Sequence, residues 1–375
     1  MANTINFSYE SLKRFCEAAF CKLGFSASDS AQITDVLLLS DLYGIESHGM
    51  QRLVRYHKGI EKGLIKIDAK PEVVFETPLS AVIDGHDGMG QLNGCFAMSK
   101  VIEKAKAGGV GIVTVRNSNH FGIAGYYAKM ACDQGLIGFA MTNSEAIMVP
   151  TFSRLAMLGS NPIAMSMPAD PYPFFFDAST TVVTRGKLEV YNKNGKPLPE
   201  GWALDKNGKG TTDAADVLKN IVAKAGGGIM PLGGEFEQTG SHKGYGYGMI
   251  CEIFCSILSM GLTSNHTHIG GKGGTCHGFA AIDPALFGDP KEIRAHLSTL
   301  LKELREAPKA EGAERIYTHG EKEILAYSDR MQNGIDVNVN TVAEMVDFCK
   351  FVGLPAEAYL GKIELDTDKK ESSYN

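Results

Sequence analysis

Residues 110–122, VGIVTVRNSNHFG, pass from a β-branched apolar run into a cluster of turn formers that ends in glycine. Val, Ile and Thr in close succession suit a buried strand, and Asn117, Ser118 and Asn119 close it. Four more runs share this texture: SAVIDG (80–85), LIGFAMTN (136–143), NPIAMSMPA (161–169) and PFFFDAS (173–179). Helical patterning fills 95–107 and 123–134 between them. Strands interleaved with helices predict an α/β or α+β centre, without saying which strands pair.

Outward from this centre both ends turn helical. Leu12, Phe15, Ala19 and Leu23 fall at helical spacing, with Gly24 as a stop. Asp29 is the expected cap of the next helix, with Gln32 three residues on and Ile33, Val36 and Leu37 facing inward. Near the other end, 290–304 carries Ile293, Leu297, Leu300 and Leu301, and 341–353 opens on a Thr341–Glu344 capping box and stops at Gly353. Residues 245–262 are apolar nearly all round and predict a buried helix. Residues 193–210, rich in Gly, Pro, Lys and Asn, predict a loop, either a mobile surface segment or a lid. The resulting plan is a discontinuous helical domain, 1–77 with 286–375, holding a central domain at 78–285.

At 375 residues the chain can bury more than one core, and 44% hydrophobic with 21% charged residues is ordinary for a globular protein. A formal net charge of −6 argues against nucleic acid or an anionic membrane surface as partner. No run reaches the roughly 18 apolar residues of a membrane span, and the first residues lack a basic stretch followed by an apolar core. The eight cysteines are scattered without a CxxC pair, which favours reduced thiols and a cytoplasmic setting. A net charge of this size is compatible with a local basic pocket for an acidic substrate.

Glycine-rich phosphate loops are absent in their usual form. Gly88, Gly90 and Gly94 miss GxGxxG by one residue, Gly244, Gly246 and Gly248 follow no strand, and GxxxxGKS/T does not occur. These glycines read equally as turns and close-packing sites. More chemistry lies in Glu46-Ser47-His48-Gly49 with Arg52 and Tyr56. If the segment is helical, His48, Arg52 and Tyr56 share one face, offering a proton donor, a carboxylate fork and a hydroxyl. A surface helix with satisfied polar groups is the plain alternative. His120 sits where a strand ends, a position suited to a general acid or base or to an ordinary turn histidine. Ser144 and the stretch Asp177, Ala178, Ser179 and Thr180 end two other strands with groups suited to ribose and phosphate, or to turns. Lys243, after His242, precedes the apolar segment, where a cation opposes the helix dipole and so suggests an anion nearby. His266, His268, Cys276 and His277 could together ligate zinc, giving a hydrolase as the alternative of another class.

The blocks SDLYGIESHGMQRLVRYHKGI, DGHDGMGQLN, SNHFGIAGYYA, LGSNPIAMSMP, MPLGGEFEQTGSHKGYGYGM, GFAAIDP and YTHGEKE occur here in order. In this the chain resembles the type-2 malate/L-lactate dehydrogenase family, over roughly residues 10–350. That family also holds ureidoglycolate, sulfolactate, diketogulonate and piperideine-carboxylate oxidoreductases. The resemblance implies a non-Rossmann α+β fold: a mostly antiparallel central sheet domain inserted in a helical domain built from both ends. It implies a homodimer with its site near the subunit interface, NAD (or NADP) as cofactor, and no metal. The implied reaction is hydride transfer between nicotinamide and C2 of a small 2-hydroxy or 2-keto acid. A cyclic imino acid or a ureido acid is the alternative substrate. By position, Ser47 and His48 match the SHG motif with the histidine as proton donor. Arg52 and Tyr56 match the carboxylate-holding residues, and His120 matches a catalytic acid/base. Ser144, Asp177, Ala178, Ser179, Thr180, His242, Lys243, Gly320, Glu321 and Lys322 match cofactor-contacting segments.

Overall fold

The computed structural model describes residues 4–363 apart from 268 and 270–272. The chain opens with β1 (Thr4–Phe7), α1 (Tyr9–Lys22) and α2 (Ala27–Leu42). Leu12, Phe15, Ala19 and Phe20 are buried on α1, as their spacing predicts. Ser26, rather than Asp29, caps α2: its Oγ accepts the Asp29 N–H at 3.1 Å, so the helix begins one turn earlier than expected. Both residue types cap well, and only the chain direction before Ala27 chooses between them. One-turn 3-10 segments at Glu46–His48 and Met50–Arg52 lead into α3 (Leu53–Glu61).

Then come β2 (Glu72–Glu76), β3 (Ser80–Asp84), α4 (Gly90–Gly108), β4 (Val110–Ser118), α5 (Ala124–Cys132), β5 (Ile137–Thr142), β6 (Ile163–Met167) and β7 (Phe174–Ala178). A lobe follows: α6 (Arg185–Lys193), β8 (Ala203–Leu204), β9 (Gly210–Thr211), α7 (Ala214–Ala223) and β10 (Gly228–Ile229). The expected loop therefore includes the short strand β8, which pairs with β9 and β10 over a core of Leu188, Leu198, Val217 and Ile221. After α8 (Ser241–Glu252), a π-helical turn at Ile253–Ile257 precedes β11 (Thr275–Ile282). The chain ends in α9 (Pro290–Glu306), α10 (Glu321–Asn333), β12 (Ile335–Asn338), α11 (Val339–Val352) and α12 (Ala356–Leu360). Asn338 caps α11, which places Thr341 inside the helix and removes the expected capping box; Gly353 ends it in the left-handed region at φ 69°.

The central sheet runs β2-β3-β4-β11-β5-β6-β7, and β3–β4 is its single parallel pair. The remaining pairs are antiparallel, and β2, which precedes residue 78, forms one edge. α4 and α5 cover one face; the π-helical turn covers β11 and β4 on the other. Close approach is written into glycines: a Cβ at Gly111 would lie 2.3 Å from the Val101 carbonyl oxygen, and one at Gly278 2.8 Å from that of Phe254. The second core joins the chain ends. β1 pairs with β12, and Phe15, Phe20, Ile33, Leu37, Tyr56, Met345 and Phe348 pack together beside them. Each such fully buried side chain is worth roughly 2 kcal/mol of apolar transfer.

The α8 segment departs from expectation. Tyr247, Met249, Ile250, Ile253, Ile257 and Leu258 are all more than a third exposed on the surface of the single chain. Its opposite face, with Cys251, Glu252 and Cys255, is buried. Among the described residues, no helix is long and apolar enough to cross a membrane.

Candidate active site

The segment carrying His48 is not one helix. Its 3-10 turns are hinged at Gly49, where a Cβ would fall 2.0 Å from Asp41 Oδ1. Asp41, buried on α2, accepts the Met50 N–H at 2.8 Å and so pins the turn. Burial raises this carboxyl to about 7. The simple i, i+4, i+8 face therefore breaks, and its members part. His48 and Arg52 line a cavity of about 380 Å³ with Arg55, His120, Ser144, Ser160, Arg185 and Glu189. Tyr56 lies outside that cavity, fully buried, with its hydroxyl 2.8 Å from His120 Nδ1.

His120 reaches the cavity from the loop after β4. Asn119 ties that loop down by donating to the carbonyls of Leu64, Asp87 and Gly88 at 3.0, 2.9 and 3.0 Å. The near-miss glycine run has a packing role: a Cβ at Gly90 would stand 2.2 Å from the Asn119 oxygen and 2.4 Å from that of His120. The rings of His48 and His120 stack at 5.4 Å, and Ser47 Oγ is 2.9 Å from His48 Nδ1. Burial first, and then the Arg52 and Arg55 cations, push His48 down to about 3. The same causes, with His48 and His277 added, hold His120 well below the ordinary histidine range. Both rings are thus neutral near pH 7 in the unliganded cavity.

Arg52 spends its Nε on the Ser47 carbonyl, 2.5 Å away, and no ion pair among the described residues occupies its terminal nitrogens. Nη2 lies 3.6 Å from the Cβ position of Gly186, and Arg52 lines the cavity, where its terminal nitrogens can take a carboxylate. Arg55 adds a second cation that sequence spacing missed, because the break at Gly49 changes which residues of α3 face the cavity. Opposite, Arg185 bonds Glu145 at 3.2 Å and Glu189 at 3.1 Å, a wall built from the start of α6.

Ser144 belongs to this cavity: its N–H donates to Asn161 Oδ1 at 3.2 Å, and its Oγ accepts the Ser160 N–H at 3.1 Å. Thr180 packs under the same loop, with its N–H and hydroxyl both on the Ser160 carbonyl. Ala178 pairs with Ile163 across β6 and β7, and the Ser179 hydroxyl donates to the Thr181 carbonyl at 3.2 Å. Asp177 accepts the Gly125 N–H at 2.7 Å, and burial lifts its carboxyl to about 6. Gly320 packs on Phe175 of the edge strand β7; Glu321 is buried against Arg315 and the Thr318 N–H, and Lys322 lies over the Tyr317 ring at 4.7 Å. His242 and Lys243 are exposed in the first turn of α8 and do not line the His48 cavity.

A nicotinamide ring fits this donor set. The cavity falls within the roughly 300–1,000 Å³ of small-ligand sites. It offers the Ser144 and Ser160 hydroxyls beside the apolar Ile147 wall and a cationic end for an acid.

A family model described as malate/L-lactate dehydrogenase matches residues 7–346. The chain belongs to the malate/L-lactate dehydrogenase family. It is 41% identical to a malate dehydrogenase of Pyrococcus horikoshii over 94% of this chain and 97% of that protein. It is 37% identical to an L-sulfolactate dehydrogenase of Methanocaldococcus jannaschii over 90% and 95% of the two chains. Among solved structures, the malate dehydrogenase of Entamoeba histolytica superposes with a TM-score of 0.91 at 37% identity, covering 94% of this chain and 99% of that one. Family membership makes the protein an oxidoreductase that uses a nicotinamide cofactor, and the mixed, mostly antiparallel sheet agrees with the fold that the motifs implied.

The zinc hydrolase reading is not supported. Cys276 and His277 are neighbours on β11, and the Cys276 thiol is directed to the Leu262 and Gly274 carbonyls. Both nitrogens of His277 are spent, 2.8 Å from Thr142 Oγ1 and 2.8 Å from Ser118 Oγ, and its ring stacks on Phe121. His268 lies outside the described residues, and no metal-competent cluster occurs among those described.

Proposed function

We propose that this protein interconverts a small 2-keto acid and its 2-hydroxy acid, with a malate-like dicarboxylate as the best-fitting substrate and NAD as cofactor. The observation that carries this reading is the pair Arg52 and Arg55 beside the stacked His48 and His120 in one cavity. The identity to relatives named malate dehydrogenase supports the dicarboxylate. The bound nicotinamide supplies the hydride that adds to, or leaves, C2 of the acid. Arg52 holds the C1 carboxylate through its free fork and so orients the carbonyl face. Arg55 neutralises further negative charge. An anion seated there offsets the two guanidinium charges and lifts the histidines back toward protonation. His120 is the proton-transfer group in this reading, with His48 stacked on it and oriented by Ser47.

NAD is named as cofactor in preference to NADP in line with the name of one relative. A relative at 29% identity is named ureidoglycolate dehydrogenase (NAD(+)). The exposed apolar face of α8 supports a homodimer, as such a stripe is costly to leave in water; sedimentation as a monomer would remove that part of the reading. Eight free cysteines, seven of them buried, support a reducing, cytoplasmic setting.

The test is absorbance of NADH and NADPH with oxaloacetate, pyruvate and a cyclic imino acid in turn. Oxidation of NADH with oxaloacetate is the expected result. Turnover of the cyclic imine alone would move the substrate to the imino-acid branch.

A further inference from the structure

Arg55, Lys58 and Lys62, the last being the C-cap of α3, follow one another at i, i+3 and i+7 and so lie along one side of the helix. That side faces a second cavity, of about 270 Å³, whose other walls include Leu64, Ile65 and Asn119. His120 and Arg55 line both this cavity and the one that holds His48. Among the described residues no carboxylate lines the second cavity. Glu61, the acid beside Lys62, turns instead to His57, 3.7 Å away. Neither Arg55 nor the exposed Lys62 has an ion pair among the described residues. The Asn119 amide is already committed to three carbonyls, so cations are what this cavity offers a ligand. A solvated basic stripe on an open helix face needs no counter-ion. Here the stripe borders a recess with Leu64 and Ile65 in its wall, where like charges are less well screened than on an open surface.

We infer that the second cavity is a binding site for a small oxyanion, a carboxylate or a phosphate, held between the Arg55 guanidinium and the Lys62 ammonium. The guanidinium supplies parallel N–H donors, and the lysine a point charge on a movable stem. The volume falls just under the roughly 300–1,000 Å³ of drug-sized ligand sites, which suits an ion of a few heavy atoms. Because Arg55 serves both cavities, an anion here draws its charge away from the substrate. That consequence rests on Arg55 answering the second negative charge of the acid in the proposed reaction; the binding itself does not. The substrate cavity stays open, so inhibition is partial: KM for oxaloacetate rises to a plateau, and KM for pyruvate, which has no second charge, moves little.

The experiment is calorimetric titration of the intact chain with inorganic phosphate and, separately, with malonate. At least one should bind, with an affinity roughly tenfold weaker in Lys62→Ala, the cost of one charge-assisted contact, and little changed in Arg52→Gln. Binding of phosphate alone identifies an inorganic ion as the occupant, and binding of malonate alone a second molecule of a carboxylic acid. Turnover of Lys62→Ala without added anion should match wild type, while the plateau in KM disappears. Failure of both anions to bind in the millimolar range would overturn the site. So would an affinity kept in Lys62→Ala, because the anion would then sit on the Arg52 fork. A bound anion that leaves KM for oxaloacetate unmoved would overturn the sharing of Arg55. A wild type that turns over no keto acid removes the dehydrogenase reading, and calorimetry still decides the site.

Discussion

Turnover of His120→Ala is expected to be roughly 10²- to 10⁴-fold below wild type in both directions, the range a positioned acid/base contributes, while NADH binding followed by fluorescence persists. The argument is geometric first. His120 Nδ1 is held by the Tyr56 hydroxyl at 2.8 Å, and its ring lines the cavity beside Arg52. The partner of His48 Nδ1 is its own neighbour, Ser47. The pH profile follows from the same site. Both histidines have folded-state values below the ordinary 6.5, His48 at about 3. A base whose pKa is lowered stays neutral, and so competent, until pH falls through the lowered value. The acid limb of kcat/KM for hydroxy-acid oxidation should therefore lie well below the ordinary histidine value of 6.5. A limb near 6.5 that vanishes in His120→Ala would contradict the electrostatics described for the cavity. Near-wild-type turnover in the variant would remove His120 from the chemistry.

Glu252→Ala should be the most destabilising single change outside the cavity, costing about 3 kcal/mol, as expected when buried donors are left unpaired. Glu252 is 3% exposed, and its carboxylate accepts from Asn161 Nδ2 at 3.0 Å, Ser256 Oγ at 2.7 Å and the Ser264 N–H at 3.3 Å, besides the Ser264 hydroxyl. Asn161 in turn holds the Ser144 N–H, so the loss should also raise KM for the dinucleotide. Urea unfolding measures the first effect and initial rates the second. Glu252→Gln keeps the acceptor oxygen but turns an amide toward donors, and should recover part of the stability only. An alanine variant within 0.5 kcal/mol of wild type would show that the network is dispensable.

Much of this fold was legible locally. The strands at 80–85, 110–117, 136–143, 161–169 and 173–179 and the outer helices follow from periodicity, since a strand or helix that must bury one face shows it in neighbouring residues. Caps were less secure. Ser26 and Asp29 are equally good acceptors three residues apart, and Asn338 pre-empted Thr341 because the chain had already turned on leaving β12. The apolar α8 segment read as buried because composition reports the need for cover and not where the cover comes from. Within the site, the residue types His48, Arg52 and His120 were readable, along with the motifs that carry them.

Tertiary structure alone decided which of these meet. Gly49 breaks the helical face, since Asp41 fills the space its Cβ would need, and so Arg55 enters the cavity while Tyr56 leaves it. Tyr56 and His120 are 64 residues apart, and only the packing of α3 against the loop after β4 sets their contact. The sequence by itself determined the elements, the family and the chemical groups available, because these depend on short-range spacing and residue type. The pairing of those groups and their suppressed charges arise from contacts between distant segments, where distance and desolvation, not spacing, set the energies.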